Sequence, residues 1–94
     1  LTEDNPTIKP YDEAPWAELS DTLNFSVKSA TTLLAGIHQR WVFLLEQLET
    51  AQLKRAYLHP EGNELVTLEE GLAIYAWHCN HHLQHIINAK AFKY

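Results

Sequence analysis

The stretch Trp77-His78-Cys79-Asn80-His81-His82-Leu83-Gln84-His85-Ile86 packs four of the chain's six histidines into eight consecutive positions. Around it Leu68, Leu72, Tyr75, Cys79, His82 and Ile86 recur at three- and four-residue steps, which places the run inside an amphipathic helix. Residues four apart on a helix stand one above the other, about 6 Å along the axis. Two imidazoles held that way can grip one cation, the geometry that helical His-x-x-x-His pairs offer to zinc.

Two such pairs are present, His78 with His82 and His81 with His85. Leu68, Leu72, Tyr75, Cys79, Leu83 and Ile86 define the apolar side of the helix, and His82 lies about 55° from their mean direction. The His81/His85 pair averages about 135° away and is expected to face solvent or another surface. His78 and His82 are therefore the inward pair, with His85 a candidate supporting group three residues from His82. Two ligands fall short of the three that a catalytic zinc takes from protein. The competing reading is a histidine-rich helix whose inward imidazoles are hydrogen-bonded core residues without metal.

Upstream, Thr67-Leu68-Glu69-Glu70 is a capping box that starts this helix, which is expected to run to about Ala89. Lys90 and Lys93 suit its negative end. Gly71 lies one turn before Tyr75 and two before His78, leaving room for close packing or a ligand. Before the capping box, Pro60-Glu61-Gly62-Asn63 is turn chemistry between Arg55–Leu58 and Glu64–Val66, so a hairpin-like excursion is expected. His59 precedes its proline and is not a ligand candidate, and Thr50 caps a short turn through Lys54.

A second helical pattern covers about Asn24 to Glu49. Leu23, Val27, Ala30, Leu34, Ile37, Trp41, Leu44, Leu45 and Leu48 mark its stripe, and Asn24 or Ser26 is the candidate cap. His38 falls beside that stripe and reads as a buried or boundary histidine rather than a ligand, and Trp41 reads as core. Residues 1–22, with Pro6, Pro10 and Pro15, read as an extended connection with one helical turn near Trp16. Tyr11 and Trp16 are expected to pin it onto the helical body, residues 23–94.

Composition narrows the function. Ninety-four residues allow one small domain. Twelve acidic residues against seven basic ones, with no lysine or arginine block, argue against nucleic acid as a partner. No apolar run approaches the roughly 18 residues of a membrane span, and no secretory leader is visible, so a cytoplasmic protein is expected. The one cysteine, Cys79, excludes an internal disulfide, fits a reducing compartment and sits at a seam position expected to be core. The chain has no methionine and opens on Leu1-Thr2-Glu3-Asp4-Asn5-Pro6, which reads as the middle of a longer protein.

Several of these words together resemble the YfiT-like branch of the DinB superfamily. They are Pro6-Thr7-Ile8-Lys9-Pro10-Tyr11-Asp12-Glu13, Trp16, His59-Pro60, Thr67-Leu68-Glu69 and Tyr75-Ala76-Trp77-His78, followed by His81-His82-x-x-His85-Ile86. The resemblance spans nearly the whole chain, and its last motif is the most specific. It implies an all-α fold: a four-helix bundle with a long crossover between its second and third helices, of which this chain would be the crossover and the last two, antiparallel helices. It also implies a divalent metal, zinc or nickel, held by three histidines. Two of these map onto His78 and His82, and the third belongs to a segment upstream of Leu1.

The implied activity is that of a metal-dependent hydrolase acting on a small-molecule substrate. The alternatives are a metal-dependent thiol transferase using bacillithiol or a related thiol, and a non-catalytic helical interaction module. Two amphipathic helices leave apolar surface uncovered, so either a homodimer or the upstream half of the bundle is expected to cover it. A homodimer would bring up to four imidazoles, His78 and His82 of each copy, to one place.

Overall fold

The helix-forming, turn and cap signals converge on a predominantly helical chain, seen here in a computed structural model that describes residues 1–92. It forms two compact units: Lys9–Glu49, and Leu1–Ile8 together with the residues from Thr50 on.

The first unit begins with α1 (Glu13–Ala17), the helical turn expected near Trp16. Asp12 caps it by accepting from the Ala14 amide at 3.3 Å. A second short helix, α2 (Ser20–Asn24), was not expected, because residues 1–22 read as extended. It is closed by side chains as well as backbone: Asn24 Nδ2 donates to the Ser20 carbonyl at 3.0 Å, and Thr22 Oγ1 donates to the Trp16 carbonyl at 3.1 Å. The long helix α3 (Val27–Glu46) accordingly starts three residues after Asn24, where the helical pattern was expected to begin. Asn24 is engaged in α2, and Ser26 takes the N-cap position with extended backbone and no side-chain cap bond.

Along α3 the stripe residues Trp41 and Leu45 are half-buried, while Val27, Leu34 and Ile37 are exposed. His38 is exposed too, stacked on Trp41 with ring centroids 6.2 Å apart and planes 15° off parallel. The expectation of a buried or boundary His38 is thus corrected; the flat face of Trp41 supplies its contact. Tyr11 and Trp16 meet edge to face at 6.4 Å and stay exposed, so they pack on each other instead of anchoring the connection in a core.

The second unit contains α4 (Thr50–Leu53), strands β1 (Ala56–His59) and β2 (Glu64–Thr67), and the long helix α5 (Leu68–Ala91). The all-α expectation is corrected here, because β1 and β2 pair antiparallel in the register Ala56↔Thr67 to His59↔Glu64. The cause is the turn already visible in the sequence. Gly62 and Asn63 adopt φ of 85° and 52°, conformations that glycine reaches freely and asparagine tolerates, and they reverse the chain.

The opening segment adds a third backbone run beside this hairpin. Thr7 bridges Leu58 in parallel, the Leu58 amide donates to the Pro6 carbonyl at 2.8 Å, and the Ile8 amide donates to the Leu58 carbonyl at 3.1 Å. Arg55 secures the same segment through its Nη2, 2.6 Å from the Glu3 carbonyl and 3.3 Å from Asp4 Oδ1. No described helix is long and apolar enough to cross a membrane.

Candidate metal centre

Helix α5 is positioned at its first turn. Thr67 Oγ1 accepts from the Glu70 amide at 3.2 Å while Glu70 Oε2 accepts from the Thr67 amide at 2.9 Å, completing the capping box. Glu69 and Glu70 also place negative charge at the positive helix end. The Leu68 amide donates to the Arg55 carbonyl at 2.8 Å, so strand and helix start are joined through the backbone.

Close packing then fixes the first turns. Gly71 is buried beneath Tyr57 of β1, and a Cβ at Gly71 would stand 2.7 Å from the Tyr57 hydroxyl oxygen. Burial raises the pKa of the Tyr57 hydroxyl above its ordinary value, and the nearby Tyr75 and Glu70 add to the rise. The room at Gly71 thus serves an aromatic side chain of the hairpin. Sequence reasoning missed this partner; the available signal was an aromatic in a short strand opposite the one glycine of the helix.

Two turns further on, the structure brings together the pair picked from the helical wheel. His78 Nε2 and His82 Nε2 lie 2.9 Å apart, with ring centroids at 4.4 Å and planes at 84°. In this arrangement one ring donates its Nε2–H and the other accepts at Nε2, the roles being set by the tautomers. His82 is held below the ordinary imidazole pKa. Partial loss of water around the ring is the larger cause, and the charges of His78, His85 and His81 act in the same direction. The residue as a whole is exposed, so the lost hydration comes from the crowding of its imidazole neighbours, not from a protein interior.

These donors suit a tetrahedral cation. Two nitrogens each about 2.0–2.1 Å from zinc stand about 3.3–3.4 Å apart, a few tenths of an ångström more than the present hydrogen bond. Small χ rotations open that gap. Among the described residues no group of three or more His, Cys, Asp or Glu side chains converges as a metal site.

His85, expected as a supporting group, stands edge-on to His82 with centroids 5.6 Å apart. His81 and His85 form the second pair at 4.3 Å, and all four rings are exposed. Cys79 is exposed as well, which corrects its assignment to the core: its helix face has no cover among the described residues of this unit. His59 is occupied in the hairpin turn, where its Nδ1 accepts from the Glu61 amide at 3.2 Å.

A helix-borne histidine pair behind a capped hairpin junction defines a class, and comparison with known proteins names it. The sequence profile of the DinB superfamily matches residues 1–86, and the chain belongs to that superfamily. It is 44% identical over 86 residues to YfiT of Bacillus subtilis, a protein named as a proposed metal-dependent hydrolase, covering 92% of this chain and 48% of YfiT. A similarly named protein of Halalkalibacterium halodurans is 45% identical over 89 residues, covering 95% of this chain and 51% of the relative. In structure the chain matches YfiT from Bacillus subtilis, described as having an unusual four-helix bundle topology. The TM-score is 0.91 at 39% identity, over 99% of this chain and 54% of that one. The chain thus spans about half the length of the curated relatives it matches.

Proposed function

We propose that this chain is the later half of a YfiT-like four-helix bundle and that His78 and His82 supply two of the ligands of a divalent metal used for hydrolysis. The observation that carries the proposal is the 2.9 Å approach of the two Nε2 atoms on one face of α5. Its support is the family membership, the names of the relatives and the match to a four-helix bundle across half of that chain. The donor chemistry favours zinc or nickel over magnesium or calcium, since imidazole suits the former and oxygen the latter.

Bound between these rings, such an ion supplies a Lewis acid to a small-molecule substrate. The chain's own residues hold the ligands in place. The capping box and the Tyr57–Gly71 contact fix the first turns of α5, and the uninterrupted helix carries that register to His78 and His82. The lowered pKa of His82 keeps its imidazole neutral, the form that ligates. A third ligand then comes from chain outside these 94 residues or from a second copy.

The test is turnover by a full-length bundle containing this sequence, loaded with zinc or nickel, against amide and ester substrates. A parallel arm offers electrophiles together with bacillithiol. Hydrolysis that disappears in the His78→Ala variant supports the reading. Activity confined to the thiol arm would replace hydrolysis by thiol transfer, and no turnover in either arm would leave α5 as an interaction helix.

A further inference from the structure

The second imidazole pair on α5 has the same i, i+4 spacing and nearly the same ring separation as the first, and no role in the reading above. We propose that His81 and His85 form a separate, solvent-facing site for a borderline transition-metal ion such as zinc or nickel. Their ring centroids are 4.3 Å apart at an interplanar angle of 63°, as close as those of His78 and His82. Trp77 stacks on His81 with centroids at 4.8 Å and planes 15° apart, which holds the face of that ring, and the His82 ring stands edge-on to both members of the pair at 5.8 and 5.6 Å.

The surrounding polar side chains do not compete for those nitrogens. Asn80 Nδ2 donates to the Ala76 carbonyl at 3.1 Å, and Gln84 Nε2 donates to Asn88 Oδ1 at 2.8 Å. From Gly71 to Ala91 the helix contains no Asp or Glu, so the site offers imidazole nitrogen and water only. That donor set selects zinc, nickel or copper and gives no purchase to calcium or magnesium.

The two pairs cannot share one bridged centre. An offset of three residues rotates the second pair by about 60° and raises it about 4.5 Å along the axis. Cations beyond the two ring pairs then stand on the order of 10 Å apart, well outside the 3.5–4 Å of two-metal sites. The outer site therefore fills independently, with water completing its coordination. The inference goes beyond the proposed hydrolytic centre and does not depend on it.

Calorimetric titration of the 94-residue chain with zinc tests this, in a Cys79→Ser background that removes the exposed thiol as a ligand. The expected uptake is two equivalents. His81→Gln/His85→Gln retains one and His78→Gln/His82→Gln retains the other. His85→Gln alone weakens the outer equivalent by about a hundredfold, the low end of what two-point attachment adds. Far-UV circular dichroism checks that each variant keeps its helix. Should the double variant misfold, nickel added to the Cys79→Ser chain provides the second reading, by broadening the His81 and His85 imidazole resonances as the second equivalent binds. A single equivalent in the Cys79→Ser chain that a folded His81→Gln/His85→Gln variant still binds, or two equivalents surviving in that variant, overturns the outer site. Loss of only the equivalent assigned to His78 and His82 would instead count against the hydrolytic centre.

Discussion

Replacing Gly71 by alanine sets two effects of opposite sign against each other. Alanine in a helix is favoured over glycine by about 1 kcal/mol, so an open position would be stabilised. At Gly71 the new methyl would lie 2.7 Å from the Tyr57 hydroxyl oxygen and 3.4 and 3.5 Å from two ring carbons of the same side chain. The shortest of these cannot persist, and the hydroxyl sits on a stiff ring, so the hairpin or the helix start has to move. Overpacking of this kind costs about 1–3 kcal/mol. The net effect of Gly71→Ala is a loss of about 0–2 kcal/mol.

In a Tyr57→Phe background the hydroxyl is gone and the remaining approaches are ordinary contact, so the same substitution gains up to about 1 kcal/mol. The coupling between the two sites is then about 1–3 kcal/mol, measurable by urea denaturation of the four proteins at one fixed concentration. Equal stabilisation by Gly71→Ala in both backgrounds would show that Tyr57 does not seat on the helix.

Three further outcomes follow from the same geometry. Thr67→Ala removes the acceptor of the Glu70 amide and lowers stability by about 1 kcal/mol, read in the same urea titration. Zinc affinity falls as pH drops: the ligating form of imidazole is neutral, and His82 stays neutral to below the ordinary value of about 6.5. A competition titration from about pH 8 to 5 therefore shows affinity nearly flat at first and then falling beneath about pH 6.5, and a flat curve throughout would argue against imidazole ligands. Cys79, being exposed, reacts completely with a thiol reagent in the folded 94-residue chain, and a protected thiol would mean that its helix face is covered, for instance by a second copy.

What could be read from the sequence was local chemistry. Thr67 and Glu70 form the capping box they spell, Gly62-Asn63 make the turn, and the i, i+4 spacing of His78 and His82 brings their nitrogens together. Tertiary pairing left weaker traces. Pro6, Thr7 and Ile8 join the hairpin through backbone atoms, which carry no side-chain signature, and residues 1–22 therefore read as an extended connection with one helical turn near Trp16. The helix α2 depends on Asn24 bonding backwards to Ser20, while asparagine before an apolar stripe ordinarily suggests a forward cap.

Burial was misjudged for a different reason. Helical periodicity marks the side of Cys79 that can be covered, but it does not specify what covers it. The same limit applies to ligand number: spacing along α5 identifies two candidate imidazoles, and a ligand on any other element leaves no trace in the spacing of one helix.

The central claim is that His78 and His82 together hold a metal ion. Its most direct test is a crystal structure of the zinc-loaded chain with anomalous scattering measured at the zinc edge. The account predicts an anomalous peak about 2.0–2.1 Å from Nε2 of both His78 and His82, with the two nitrogens spread from their present 2.9 Å to about 3.3 Å. At saturating zinc, an intact His78–His82 hydrogen bond with no anomalous peak beside it would contradict the claim.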